Sequence, residues 1–244
     1  MPRPPVSSLP LHCKPVGGGI DLAAVSELPV ENEGLRAEWN DSARWCWDGS
    51  MYERVPAAET IEVTRLSDAD IDMMYEAGTV RPLDANEQPR QTCRVFCVPE
   101  WSKDPPRRRR VAHPVVVNEV CDRETLRQLR LPLRAEIRYA IHDGDWVAIL
   151  DAASFFDQFP LSPDVSRYFC FADRHGKLWA LASLAMGQRQ STEVATALMK
   201  VLCSFETGVR IDIATDNLRF IGRSKTEVAD AVQTFSFHGR TPWV

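Results

Sequence analysis

The sequence reads as a mixed protein of the α+β class, with helical and strand patterning in separate stretches. Three observations lead there. A capping-box signature at Ser67 opens a run of apolar residues at helical spacing, Ile71, Met74 and Tyr75. Short apolar stretches at 93–98 and 146–150 have the length of strands. An alternating run at 209–213 is followed, after a tight turn, by a second at 218–220. The 244 residues suffice for one large domain or two small ones with a sizeable core, and 44% hydrophobic with 26% charged residues is an ordinary globular balance.

Taken in order, residues 1–19 are rich in Pro and Gly, lack an apolar secretory core, and read as a flexible leader. Residues 1–58 show no clear periodicity; the clustered Trp39, Trp45 and Trp47 point to local packing. The helix capped by Ser67 and Asp70, with Leu66 and Ile71 as a hydrophobic staple, ends at Gly78. Residues 93–98 form a strand, Pro105 and Pro106 a turn, and 111–117 a second strand, with Pro114 suited to an edge. A short helix is expected over 134–142, then a turn at 142–145 into the strand 146–150, which ends on Asp151. Near Ser191 another helix begins, with Val194, Leu198, Val201, Leu202 and Phe205 as its buried stripe and Gly208 as its close. The hairpin that follows turns at Thr215-Asp216-Asn217, and residues 225–235 read as a last helix with Val228, Val232 and Phe235 on one face.

The seven cysteines include no CxxC pair and no second pair at zinc spacing, so they read as reduced thiols of an intracellular protein. No run of about 18 uncharged apolar residues occurs, so no membrane span is expected. The net charge of −5 is unlike the basic surface of most nucleic-acid proteins, but basic charge is concentrated at Arg107, Arg108, Arg109 and Arg110, with Lys103 upstream. That run has a bland reading too, as a solvated basic turn or a targeting signal.

Two aspartates at strand ends, Asp151 and Asp216, carry the chemical argument. Nucleotidyl transfer uses two divalent cations about 3.5–4 Å apart, and magnesium takes one or two carboxylates plus substrate phosphates. A strand-end aspartate beside a hairpin-tip aspartate supplies such a pair, whereas either alone is a common turn residue.

The surroundings of these aspartates are specific. The stretch Leu150-Asp151-Ala152-Ala153-Ser154-Phe155-Phe156-Asp157-Gln158-Phe159-Pro160-Leu161 resembles the first palm motif of reverse transcriptases. Leu184-Ala185-Met186-Gly187 with Ser191-Thr192 resembles the family's Leu-Pro-x-Gly-x-x-x-Ser-Pro motif. Ala214-Thr215-Asp216-Asn217 stands where the family has Tyr-x-Asp-Asp. Upstream, Glu76 to Pro82, Val95 to Pro99, and Arg109 nine residues before Asn118 look like the fingers of retroelement enzymes. The motifs keep their order across roughly 66–222, and the Asp-Asn pair followed by Leu218-Arg219-Phe220 is similar to the tyrosine-recombinase (DIRS and VIPER-like) retroelements.

The resemblance implies a right-hand polymerase of fingers and palm, with an antiparallel palm sheet backed by helices. It divides the chain into an unassigned segment 1–58, fingers at 59–133, palm at 134–235 and a tail at 236–244 that leaves no room for a thumb. It implies Asp151 and Asp216 as ligands of two Mg2+ ions, with Mn2+ as the alternative, and Asn217 as an auxiliary. Ala152 would offer its carbonyl and Arg109 or Arg110 would hold the triphosphate. Phe156, otherwise a core aromatic, would exclude a 2′-hydroxyl, and Gly187 and Gln188 would line the nucleotide pocket. Arg107 and Arg108 would meet nucleic acid. The expected partners are an RNA template, a DNA primer and deoxynucleoside triphosphates, without a membrane.

The chain departs from the motif where Asn217 replaces the second aspartate, Ala214 the aromatic and Ala185 the proline; His113 and Val115 stand where many relatives have Asp and Arg. A second expectation is therefore a catalytically inactive retroelement relic that at most binds nucleic acid. A third is an unrelated interaction protein, in which Asp151 and Asp216 would not meet.

Overall fold

The computed structural model describes residues 3–16, 19–121, 139 and 141–238. In chain order its strands are β1 (Leu11–His12), β2 (Val80–Pro82), β3 (Arg94–Glu100), β4 (Arg107–His113), β5 (Trp146–Asp151), β6 (Cys170–Ala172), β7 (Leu178–Leu181), β8 (Arg210–Ala214) and β9 (Asn217–Gly222). Its helices are α1 (Leu22–Glu27), α2 (Glu33–Trp47), α3 (Asp68–Glu76), α4 (Val115–Val120), α5 (Pro163–Ser166), α6 (Ser191–Leu202) and α7 (Lys225–His238). The strands make three small sheets, ordered β1-β4-β3, β2-β7-β6 and β5-β9-β8. The chain is mixed α and β, and it divides into two compact units.

The first unit comprises Met1–Gly17, Trp45–Thr125 and Phe156–Ser191. Its α3 begins as the sequence predicts: the Ser67 hydroxyl accepts from the Asp70 amide, the Asp70 carboxylate accepts in return, and Leu66 and Ile71 are buried. Gly78, at φ +74, takes the left-handed conformation that closes it. Strands β3 and β4 form an antiparallel ladder from Arg94↔His113 to Glu100↔Arg107. The second strand thus lies earlier than the sequence suggested. It contains the arginine run and stops before Pro114, which has no N–H to donate, and 115–120 turn helical as α4. The supposed leader contributes β1, which pairs in parallel with Arg108 and Arg109, and Leu9 and Leu11 are buried. Around sheet β2-β7-β6 the core gathers Met74, Phe159, Phe169, Phe171 and Leu181, with Tyr52 stacked on Tyr168 at 5.0 Å.

The second unit comprises Gly18–Arg44, Leu126–Phe155 and Thr192–Val244. Here α2 rises where no periodicity was legible, and Trp39 is buried with its indole N–H on the Ser26 hydroxyl at 3.1 Å. Its side chains meet α6 through Lys200 on Glu38 at 2.6 Å and the Ser42 hydroxyl on Glu193 at 3.3 Å. Helix α6 buries Val194, Leu198, Val201 and Leu202 but ends there, before Phe205 and Gly208, and the Ser204 hydroxyl donates to the Val201 carbonyl. Helix α7 packs on β9 and β5, burying Val228 and Ala231, with the Phe235 ring 5.9 Å from Phe220. The helix expected over 134–142 falls almost wholly outside the described residues. All seven cysteines are free thiols; burial pushes that of Cys46 up to about 12. No described helix is long and apolar enough to cross a membrane.

An ion pair joins β2 to Glu87, and the same guanidinium reaches α5 through a hydrogen bond. Arg81 donates to both Glu87 carboxylate oxygens at 2.5 and 2.7 Å and to the Ser166 hydroxyl at 3.2 Å. The Arg81 guanidinium lowers the Glu87 carboxyl to about 2. A depressed folded-state pKa stabilises the fold above the unfolded value of about 4.3, and the contribution is lost as pH falls through the folded value. The urea midpoint should therefore drop between about pH 4.3 and pH 2, and drop less in Glu87→Gln. Equal losses in the two proteins would remove this pair from the account.

Candidate functional site

Strand β9 is central in its sheet, and Leu218 and Phe220 on one face are buried while α7 packs on the strand. Period-two alternation then places Asn217, Arg219 and, across the ladder, Asp151 on the other face. Asp151, the last residue of β5, sits opposite Asn217, the first of β9, and Asn217 pairs in turn with Ala214. The hairpin turn is thus two residues, Thr215 and Asp216, and Asn217 belongs to the strand rather than to the turn. The Ala152 amide donates to the Asp216 carbonyl at 2.9 Å, which fastens the tip of the hairpin to the end of β5. Asp151, Ala152, Asp216 and Asn217 are therefore brought together at one end of one sheet.

The electrostatics of that end differ from the rest of the hairpin. Asp212 is held by Arg210 at 2.8 Å and by Arg219. Burial pushes its carboxyl up, but the two guanidiniums outweigh it and hold it below the usual carboxylate range. At the tip, the Asp216 carboxylate accepts only the Asn217 amide at 2.9 Å, and among the described residues no cation pairs with Asp151 or Asp216. Two acids at one end of a sheet with no counter-charge among the described residues make that end strongly negative. The backbone is strained at the same place. Ser154 (φ 51) and Thr215 (φ 59) are the non-glycine residues at positive φ among those described. Each such residue costs on the order of 1–3 kcal/mol, more readily tolerated where a site requires the geometry.

The other predicted residues belong to the first unit. There the arginine run is split by the alternation of β4. Arg107 and Arg109 share a face, where Arg107 donates to Glu100 at 2.6 Å and meets the His12 ring at 3.0 Å. Burial lowers the His12 pKa, and Arg107 adds to the effect. Arg109 lies 3.8 Å from Glu100 with its side chain 48% exposed, the most open of the four. Arg108 turns inward and grips Asp70 with two hydrogen bonds at 2.8 and 2.9 Å. Arg110, 8% exposed, turns inward onto Asp157. In this structure Arg108 and Arg110 are thus structural cations, and Arg109 is the most exposed of the four.

Phe156 is half-buried in the 3-10 turn Phe155–Gln158. Gly187 has a steric reason to be glycine: a Cβ there would lie 2.2 Å from the Ala112 carbonyl oxygen, which its own amide reaches at 2.9 Å. Asn118 completes the clasp, donating to the Gly187 carbonyl at 2.8 Å and accepting from the Arg189 amide at 3.0 Å. Gln188 is 2% exposed and donates to the Tyr52 hydroxyl at 2.9 Å, so its side chain faces the core and not a pocket. Sequence reasoning gave Asp70 only its capping role and Asp157 none; the period-two alternation of the arginines was the signal that carboxylates were needed on their inward side.

Comparison with protein-family models and with curated proteins finds no match. Solved structures do match. The native prototype foamy virus protease–reverse transcriptase superposes with a TM-score of 0.60 at 20% identity, covering 78% of this chain and 24% of that one. Its CSH mutant gives 0.59 at 20% identity, over 78% and 25%. The foamy viral protease–reverse transcriptase in complex with double-stranded DNA gives 0.53 at 14% identity, over 77% and 32%. The chain has a reverse-transcriptase-like fold. It spans about a quarter to a third of the length of those proteins.

The Gly187 contact yields a direct test. Gly187→Ala forces a methyl group into the backbone of β4 and should destabilise the protein by about 2 kcal/mol, read as a lowered denaturation midpoint. An unchanged midpoint would mean the 184–190 segment does not sit this close to β4.

Proposed function

We propose that this chain is the nucleotidyl-transfer region of a retroelement RNA-directed DNA polymerase, with Asp151 and Asp216 as its metal ligands. The observation that carries the reading is that Asp151 and Asp216 stand at the same end of sheet β5-β9-β8 with no cation paired to either among the described residues. Among the described residues no three His, Cys, Asp or Glu cluster to hold an ion by themselves. The donor set is instead two carboxylates with the Asn217 amide oxygen and the Ala152 carbonyl as neutral oxygens. That set fits magnesium, which completes its shell with water and substrate phosphates. Bound Mg2+, or Mn2+, would supply positive charge to the triphosphate and favour the ionised primer hydroxyl.

The rest is done by the chain's own groups. The primer 3′-oxygen bonds to the α-phosphorus of a deoxynucleoside triphosphate as the bond to pyrophosphate breaks. Asn217 holds the Asp216 carboxylate in place through its amide. Arg109 presents a planar, permanently charged fork to the phosphates. By its place in the motif Phe156 would exclude a 2′-hydroxyl, and Gly187 lets the 184–190 backbone come close to β4. A similar structure holds double-stranded DNA, and we extend a template–primer duplex to this chain as part of the proposal. The assignment to fingers and palm, and to the tyrosine-recombinase group, rests on the order of the motifs and on Asp216-Asn217-Leu218-Arg219-Phe220. The inactive-relic reading is favoured by one observation: Asn217 brings an amide where the motif has a third acid.

Primer extension on poly(rA)–oligo(dT) with Mg2+ or Mn2+ tests the reading. Asp151→Asn and Asp216→Asn should each lose roughly 10²–10³-fold in rate, the equivalent of several kcal/mol of charge stabilisation. Asn217→Asp should incorporate faster than the natural protein. Folded protein in which neither the natural chain nor Asn217→Asp extends a primer would leave the relic.

A further inference from the structure

Within the second unit, a cleft of about 340 Å³ opens between the α1–α2 connection and the end of α6. Its volume lies in the range of about 300–1,000 Å³ usual for small-molecule sites. One wall is the half-buried Leu28, where α1 has ended and the following Pro29 has no N–H with which to continue a helix. Arg36 fixes that wall, donating to the Ser26 carbonyl and to the Leu28 carbonyl at 2.9 Å. The other wall is the last turn of α6, where Val201 and Leu202 are buried, with the half-buried Phe205 just beyond. The surface that the two walls offer is apolar.

The charge around this cleft has one sign. Glu31 and Glu206 line it, both exposed, and no cation is paired with either among the described residues. Among those residues no Lys, Arg or His lines it. Helix α6 adds to the same sign, because the carbonyls at a helix C-terminus carry roughly half a negative charge. Lys200, in its last turn, is already paired with Glu38 at 2.6 Å. A ligand that matches has a positive head and an apolar body, which covers Leu28 and Phe205 while the head stays at the carboxylates. An anionic ligand would meet two acids, and a hydrated inorganic cation would leave the apolar walls wet.

We propose that this cleft binds a small organic ammonium ion, an amine carried on an alkyl or aryl body. The site uses neither Asp151 nor Asp216 and does not depend on the polymerase reading.

The test titrates 3-phenylpropylammonium chloride into the whole chain, followed by NMR of Leu and Val methyl groups and by calorimetry. The neutral comparison is 3-phenylpropanol, and primer extension plays no part in the readout. The Leu28, Val201 and Leu202 methyl resonances should shift to saturation, and the alcohol should bind about threefold more weakly or worse. Glu31→Gln and Glu206→Gln, at exposed positions, should each weaken the ammonium about threefold, and together about tenfold. That loss should shrink in about 0.5 M salt. Glu59→Gln, exposed in the first unit, should change nothing. Folded protein without saturable shifts at those methyl groups overturns the proposal. Equal affinity for the alcohol, or an affinity that the double variant keeps, overturns it as well, because the carboxylates would then play no part in binding.

Discussion

The first unit depends on the two-residue period of β4. Four successive arginines on a strand cannot all face water; alternation sends Arg108 and Arg110 inward and Arg107 and Arg109 outward. Charges so deep are tolerated only when paired, because desolvating a guanidinium costs several kcal/mol. The pairing dictates the neighbours. Asp70 brings the first turn of α3 to Arg108, and Asp157 brings the 3-10 turn after β5 to Arg110. The net result is that a sequence feature resembling a basic surface patch is half a structural clamp.

The same reasoning, inverted, distinguishes the tip of the β8–β9 hairpin. Asp212 has two arginines, and burial plus pairing makes it a structural ion. Asp151 and Asp216 have no such partner among the described residues, and Thr215, next to Asp216, is held at φ 59. A fold selected for stability alone would neutralise these acids or replace Thr215 by glycine.

Much of this was legible in the sequence, and the reasons are local. The capping box at Ser67, the strand ending on Asp151 and the hairpin around Asp216 are set by neighbours within a few residues, where pattern and chemistry agree. The misplacements arose where distant partners decide. Arginine has no strong preference for a strand, and β4 extends over 107–110 because β3, β1, Asp70 and Asp157 complete it from elsewhere in the chain. Helix α2 was invisible because its Trp39 and Trp45 are buried against tertiary neighbours, among them Ser26 and Tyr52, rather than along a clean periodic stripe. Gln188 was read from a motif as a pocket residue, whereas its burial depends on Tyr52, 136 positions away. The comparison with foamy viral structures at 20% identity reaches the fold and stops there.

The substitution at Asn217 turns on charge and on geometry separately. In geometry little is lost: the residue occupies the same register opposite Asp151, and its amide reaches Asp216 at 2.9 Å. In charge, that end of the sheet carries two carboxylates where the motif has three. A third carboxylate at 217 would stand directly across the ladder from Asp151, where like charges repel. The amide removes this repulsion and donates to Asp216 at once, so one substitution settles both the register position and the hairpin tip.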